Sequence, residues 1–148
     1  MKKITIKDVE YIAFRLAQEL LELDEPIPRF STRFPHVLES CVSVPFAEFF
    51  GKKLYPSILS KASILFYLMI KNHPFQNGNK RIAVTTLFVF LYKNKKWLKV
   101  DTYQLYQFTV WIASSPAQLK NEVVKSIESF LRLHLVNTNS KSGLDVEV

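Results

Sequence analysis

The residues most suited to chemistry lie together in Asn72-His73-Pro74-Phe75-Gln76-Asn77-Gly78-Asn79-Lys80-Arg81. Pro74 cannot continue a helix, so His73 is presented at a helix end and not lost along a helix face. Phe75 can anchor the loop by burying its ring. Gly78 lets backbone come close to a ligand, and the unbonded N–H groups at the start of the next helix, near Asn79 to Arg81, form a cradle for an anion. Lys80 and Arg81 add charge to that cradle. The chemistry this allows is the binding of a phosphate beside an imidazole. The plainer reading is a turn between two helices, with Asn and Gly supplying turn chemistry and His73 closing a helix end. His36 and His134 have no such company and read as structural or exposed, and Cys41, among Leu38, Val42 and Val44, reads as a packed thiol.

Charge supports an anion site. Between Phe49 and Val100 there is no Asp or Glu, while this stretch holds ten of the chain's 20 basic residues; the whole carries +7. A segment free of carboxylates can hold phosphates without internal competition. For the run Lys93 to Lys99 the reading is a solvated lysine face.

Two helices must position the loop. One runs from about Pro56 to Lys71, with Pro56 in its first turn and Ile58, Ala62, Leu65, Phe66 and Met69 as its buried stripe. The other runs from about Asn79 to Lys93 and is apolar nearly all round, as a helix enclosed by others must be. Around them the periodicity predicts a first helix over about 6–22, capped by Thr5 with Val9, Ile12, Ala13, Leu16 and Leu20 inward. The loop Asp24-Glu25-Pro26-Ile27-Pro28 follows, then a helix over about 34–44 ending before Pro45. Asp101-Thr102-Tyr103-Gln104 and Ser115-Pro116-Ala117-Gln118 have capping-box form and start two more helices, the second with Pro at its first position. From Phe46 to Tyr55, aromatic residues around Gly51 and two lysines suit a short hairpin or flap. The expectation is an all-α fold, one bundle of about six helices with a flap near residues 46–55, forming one domain over 1–136 and a flexible tail over 137–148.

The loop resembles the Fic/Doc signature: His-Pro-Phe, an acidic residue two positions on, then Gly-Asn followed by Gly or Lys and Arg. Leu38-Glu39-Ser40, Pro45, Tyr55-Pro56 and Lys61-Ala62 ahead of Asn72-His73-Pro74-Phe75 are similar to the layout of the death-on-curing branch, so the resemblance covers roughly residues 4 to 135. It implies a helical fold and transfer of a nucleotide-derived group to a hydroxyl of a target protein (Ser, Thr or Tyr). It makes ATP or another nucleoside triphosphate the co-substrate. In that pattern His73 is the general base, Gly78, Asn79, Lys80 and Arg81 bind phosphate, and Phe75 anchors the loop. Phe49, Gly51, Lys53 and Tyr55 belong to the flap where a target segment docks. Lys80 stands where adenylylating members usually have Gly, and Val84 where they usually have a second Arg; both departures resemble the death-on-curing branch, which implies kinase-type transfer over AMP transfer. That branch also implies a toxin whose antitoxin partner folds a helix into a groove.

Asn77 departs from the pattern, because the family places there the Asp or Glu that binds Mg²⁺. A neutral amide oxygen lacks the charge that secures magnesium, so metal binding is expected to be weak or absent. A catalytically silent member acting by binding is therefore a second reading, and a basic nucleic-acid-binding helical module a third. Against the third, Trp97, Tyr103 and Trp111 have packing spacing and no nucleic-acid motif is present. The densest apolar run, Ile82 to Tyr92, is far short of the about 20 residues a membrane span needs. With no apolar run of signal-peptide type after Met1, the expected location is the cytoplasm.

Overall fold

The computed structural model describes residues 1–19 and 26–138. Its first helix starts at a reciprocal cap: Asp8 N–H donates to Thr5 Oγ1 at 3.1 Å, and Thr5 N–H donates to Asp8 Oδ2 at 2.9 Å. The helix is continuous through α1 (Ile6–Asp8), a π-helical stretch (Val9–Ala13) and α2 (Phe14–Glu19). The wider π turn shifts the side-chain register, so the buried set is Val9, Ala13, Phe14 and Ala17. Ile12, expected to face inward, is 46% exposed, and Leu16 lies half-buried at the rim of the core.

Two central helices, α4 (Ile58–Lys71) and α5 (Asn79–Lys93), pack against each other. Ser57 caps α4, its Oγ accepting the Ser60 N–H at 3.0 Å, so Pro56 stands outside the helix and not in its first turn. Every residue from Lys61 to Ile70 is buried. The single stripe expected for α4 is thus too narrow. The helix is enclosed by α5, α3 (Pro35–Ser43), α6 (Thr102–Ser114) and α7 (Lys120–His134), with the 3₁₀ turn Val44–Phe46 on a further side. Counting α1 and α2 as one, the described residues form six helices, the all-α bundle expected. None of these helices is long and apolar enough to cross a membrane.

Caps decide the remaining boundaries. Asp101 Oδ2 accepts the Gln104 N–H at 3.0 Å and starts α6 as expected. Ser115 does something else: its hydroxyl donates to the Ile112 carbonyl at 2.6 Å and closes the end of α6. Pro116 is extended, at ψ 141°, and α7 begins only at Lys120 after the 3₁₀ turn Ala117–Leu119.

The expected flap is a hairpin of β1 (Glu48–Phe49) and β2 (Lys52–Lys53), with Glu48 opposite Lys53 and Phe49 opposite Lys52. Its two-residue turn, Phe50-Gly51, has φ of 51° and 78°, the positive pair that matches strand twist. A second antiparallel pair was not expected: β3 (Lys96–Leu98) binds β4 (Leu135–Asn137), Trp97 opposite Val136. The lysine run is therefore partly a strand, and Thr138, 7% exposed, donates its N–H to the Lys95 carbonyl at 3.1 Å. Of the tail expected over 137–148, Asn137 ends β4 and Thr138 is bonded beside it, while its remainder, Leu20 with the expected end of the first helix near 22, and Asp24-Glu25 of the following loop lie outside the described residues.

Candidate functional site

His73 lies two residues past the end of α4, exposed, with φ at +50°. Histidine is among the non-glycine residues found more often in left-handed backbone, and Pro74 next to it prevents the helix from absorbing the strain. Phe75, 1% exposed, packs against Phe14 and Phe30 at ring distances of 5.6 and 5.9 Å, pinning the loop to the first helix and to the 3₁₀ turn Phe30–Thr32. A second tie is the Phe34 N–H, which donates to the Pro74 carbonyl at 2.9 Å.

Asn79 holds the loop from within. Its Oδ1 accepts the Phe75 N–H at 3.0 Å, and its Nδ2 donates to the Phe75 carbonyl at 2.8 Å. These two bonds settle the orientation of the amide. The second hydrogen of Nδ2 then faces His73 Nδ1 at 3.4 Å, too long for a strong hydrogen bond. The contact locates the ring without fixing its proton. Sequence reasoning gave Asn79 to phosphate binding and missed this role; the available signal was an Asn at the first helical position, where its side chain readily bonds local backbone.

The start of α5 has the features of an anion site. Gly78 is its N-cap at φ +73°, no side chain caps it, and no acidic residue occupies its first turn. The leading N–H groups of such a helix have no acceptor within the helix, and its dipole adds partial positive charge. Lys80 is half-buried there. Glycine at position 78 was expected to make room for a ligand. The space beside its Cα is instead filled by this chain, since a Cβ would lie 2.6 Å from Ile27 Cδ1 and 3.4 Å from the Pro26 carbonyl oxygen. The positive φ favours glycine here, and a Cβ would in addition push the Ile27 methyl aside.

Arg81 is 6% exposed, and its Nη2 donates to the Ala17 carbonyl at 2.5 Å; one turn on, Thr85 Oγ1 donates to the Ala13 carbonyl at 2.7 Å. Ala13 ends the π-helical stretch and Ala17 lies in α2, so α5 supplies donors to two carbonyls of the first helix at the same four-residue spacing. Asn77 is exposed and offers one neutral oxygen, and no group of three or more His, Cys, Asp or Glu able to hold a metal occurs among the described residues.

The hairpin residues named from sequence are gathered at one place: Phe49 and the neighbouring Phe50 are 62% and 91% exposed with rings 4.4 Å apart, beside Gly51 and Lys53, with Tyr55 at the exit. Away from the loop, an apolar cavity of about 480 Å³ lies between Leu16, Val84, Phe88, Leu98 and Leu105. A second of about 320 Å³ reaches Ile12 and Tyr92, and Leu16, Phe88 and Trp97 line both, making one apolar groove along the first helix and α5. Cys41 is buried as expected, and burial pushes its thiol up to about 12, which makes it inert.

Comparison with known proteins agrees with this geometry. A family model described as Fic/DOC matches residues 3–91, more than half of the chain. The protein is 34% identical over 65 residues to Toxin Doc of Mycolicibacterium smegmatis, a match covering 44% of this chain and 50% of that relative. The chain thus spans about half the length of the curated relative it matches. No solved structure matches it.

Proposed function

The chain belongs to the Fic/DOC family, and from that premise we propose that it transfers the terminal phosphate of a nucleoside triphosphate to a hydroxyl of a target protein. The observation that carries the reading is the exposed His73 beside the start of α5, which has Gly78 as its N-cap and no acidic residue in its first turn. In this reading the target oxygen bonds to the γ-phosphorus, the bond from that phosphorus to the β,γ-bridging oxygen breaks, and a nucleoside diphosphate leaves. His73 takes the hydroxyl proton. The first turn of α5 with Lys80 orients the phosphates, and such positioning supplies most of the rate in phosphoryl transfer. Arg81 contributes its charge from below while it stays bonded to helix α2. Magnesium, when bound, would screen phosphate charge, and Asn77 would offer it one neutral oxygen.

Lys80 and Val84 at their positions favour terminal-phosphate transfer over transfer of AMP. The similarity to a protein named Toxin Doc extends the proposal to a toxin acting in the cytoplasm with an antitoxin partner. The apolar groove along the first helix and α5 offers apolar lining to the apolar face of a partner helix.

ATP labelled separately at the α and γ positions, incubated with the protein and a cell extract, tests the reading. Protein label from γ alone is the expected result. Label from α would make the protein an adenylyltransferase, and label from neither would make it a silent member. Asn77 motivates that last reading and has its own test. Asn77→Asp is expected to lower the magnesium concentration for half-maximal nucleotide binding by about tenfold, the effect of restoring one charged ligand. Identical magnesium titrations of the two proteins would remove position 77 from metal binding.

A further inference from the structure

Lys61 is 3% exposed in the first turn of α4, where the buried run Lys61–Ile70 begins. A buried lysine is costly unless its ammonium is bonded. Here Nζ donates to the Tyr55 carbonyl and lies 5.2 Å from the centroid of the Phe46 ring. Phe46 and Tyr55 are the residues that flank the hairpin, one before β1 and one after β2. Lys3 Nζ faces the same ring at 5.5 Å, and the ring is set edge-on to Phe90 of α5. Both hairpin strands are exposed, and the Leu54 N–H donating to the Ala47 carbonyl at 3.2 Å closes its base. Burial holds the Lys61 ammonium below its ordinary range, Lys53 adds to that effect and Glu48 opposes it, which shows that the amine feels the hairpin's own charges.

We infer that Lys61 is a positioning residue that clamps the Phe46–Tyr55 hairpin onto α4 and so fixes how a docked target is offered to His73. The link to docking rests on the proposed transferase reading; the clamp itself does not. The geometry gives the clamp its reach, because α4 is a rigid rod about 20 Å long that carries Lys61 in its first turn and delivers His73 at its far end. The turn residue Phe50 has an apolar side chain almost fully in solvent on backbone that bulky residues rarely adopt. Such strain persists only where surrounding structure imposes it. The Lys61 bond to Tyr55 and the ring of Phe46 are the contacts that tie both ends of the hairpin to α4.

Lys61→Met keeps the volume and removes the charge and the donor. Hydrogen exchange at the Leu54 amide is expected to quicken at least tenfold, with the core amides of α4 and α5 unchanged. In the γ-labelled ATP assay, the extract concentration giving half-maximal labelling is expected to rise about tenfold, with the maximal rate and nucleotide affinity within twofold. Lys61→Arg, which keeps charge and donors, should restore both. Unchanged exchange at Leu54 would overturn the clamp. Faster exchange without a change in half-maximal extract concentration would overturn its role in docking. Should Lys61→Met loosen the whole core, Lys61→Leu, which likewise lacks charge and donor, carries the same comparison. If the natural protein transfers no label at all, the transferase reading fails, and the exchange measurement still decides the clamp.

Discussion

Replacement of His73 by asparagine is expected to lower the rate of group transfer by about 100- to 10,000-fold, the range that one positioned general base contributes. Nucleotide affinity and the unfolding midpoint should stay close to those of the natural protein. The reasons are local. The ring is exposed, and the neighbour recorded for it is Asn79 at a distance that carries little energy. Asparagine is preferred to alanine because the backbone at this position is left-handed, which asparagine adopts at lower cost. His73→Ala then isolates the backbone contribution: it should show the same loss of transfer with a slightly lower midpoint. Rates come from γ-label incorporation in single-turnover mixing, and affinities from equilibrium titration with a non-hydrolysable nucleotide. Transfer surviving within threefold in both variants would mean that imidazole takes no proton. Loss of nucleotide affinity in step with rate would make His73 part of the loop's framework.

Asn79 should show a larger effect on the fold than on the proton. Asn79→Ala leaves the buried Phe75 N–H and carbonyl without partners, and each such group costs about 1–3 kcal/mol, so a loss of about 2–4 kcal/mol is expected in urea unfolding. Asn79→Asp keeps an acceptor for the Phe75 N–H and loses only the donor to its carbonyl, so its loss should be about half as large. Nucleotide affinity should follow the other order. A carboxylate in the first turn of α5 suits the helix dipole and competes with phosphate for the same N–H groups, so the Asp variant should bind nucleotide more weakly than the Ala variant. The two orders cross, and that crossing separates an effect on loop stability from an effect on the anion site. Affinity falling in the same order as stability would show that the start of α5 does not receive phosphate.

Much of this protein was legible because its signals are local. The bounds of α5 follow from Gly78 before it and the end of its apolar run at Lys93; Asp101 announces α6, and Gly51 between aromatic residues and two lysines announces the hairpin. The loop from His73 to Arg81 could be singled out from residue types and spacing alone. Each of these depends on groups within a few residues of one another, where sequence separation and spatial distance are nearly the same thing.

What only the tertiary structure decided depends on partners far away in sequence. Nothing near position 96 indicates that Lys96–Leu98 pairs with Leu135–Asn137, and nothing near Arg81 or Thr85 points to the carbonyls of Ala17 and Ala13. The stripe read for α4 faces the core but is too narrow, because periodicity counts apolar residues and cannot count the helices that enclose them. Gly78 was identified from its type, but Ile27, whose side chain packs beside its Cα, belongs to another segment. A chain encodes its helices, caps and turns through neighbours. Which buried donor meets which buried carbonyl is fixed by what packs between them, and that is set only when the whole core closes.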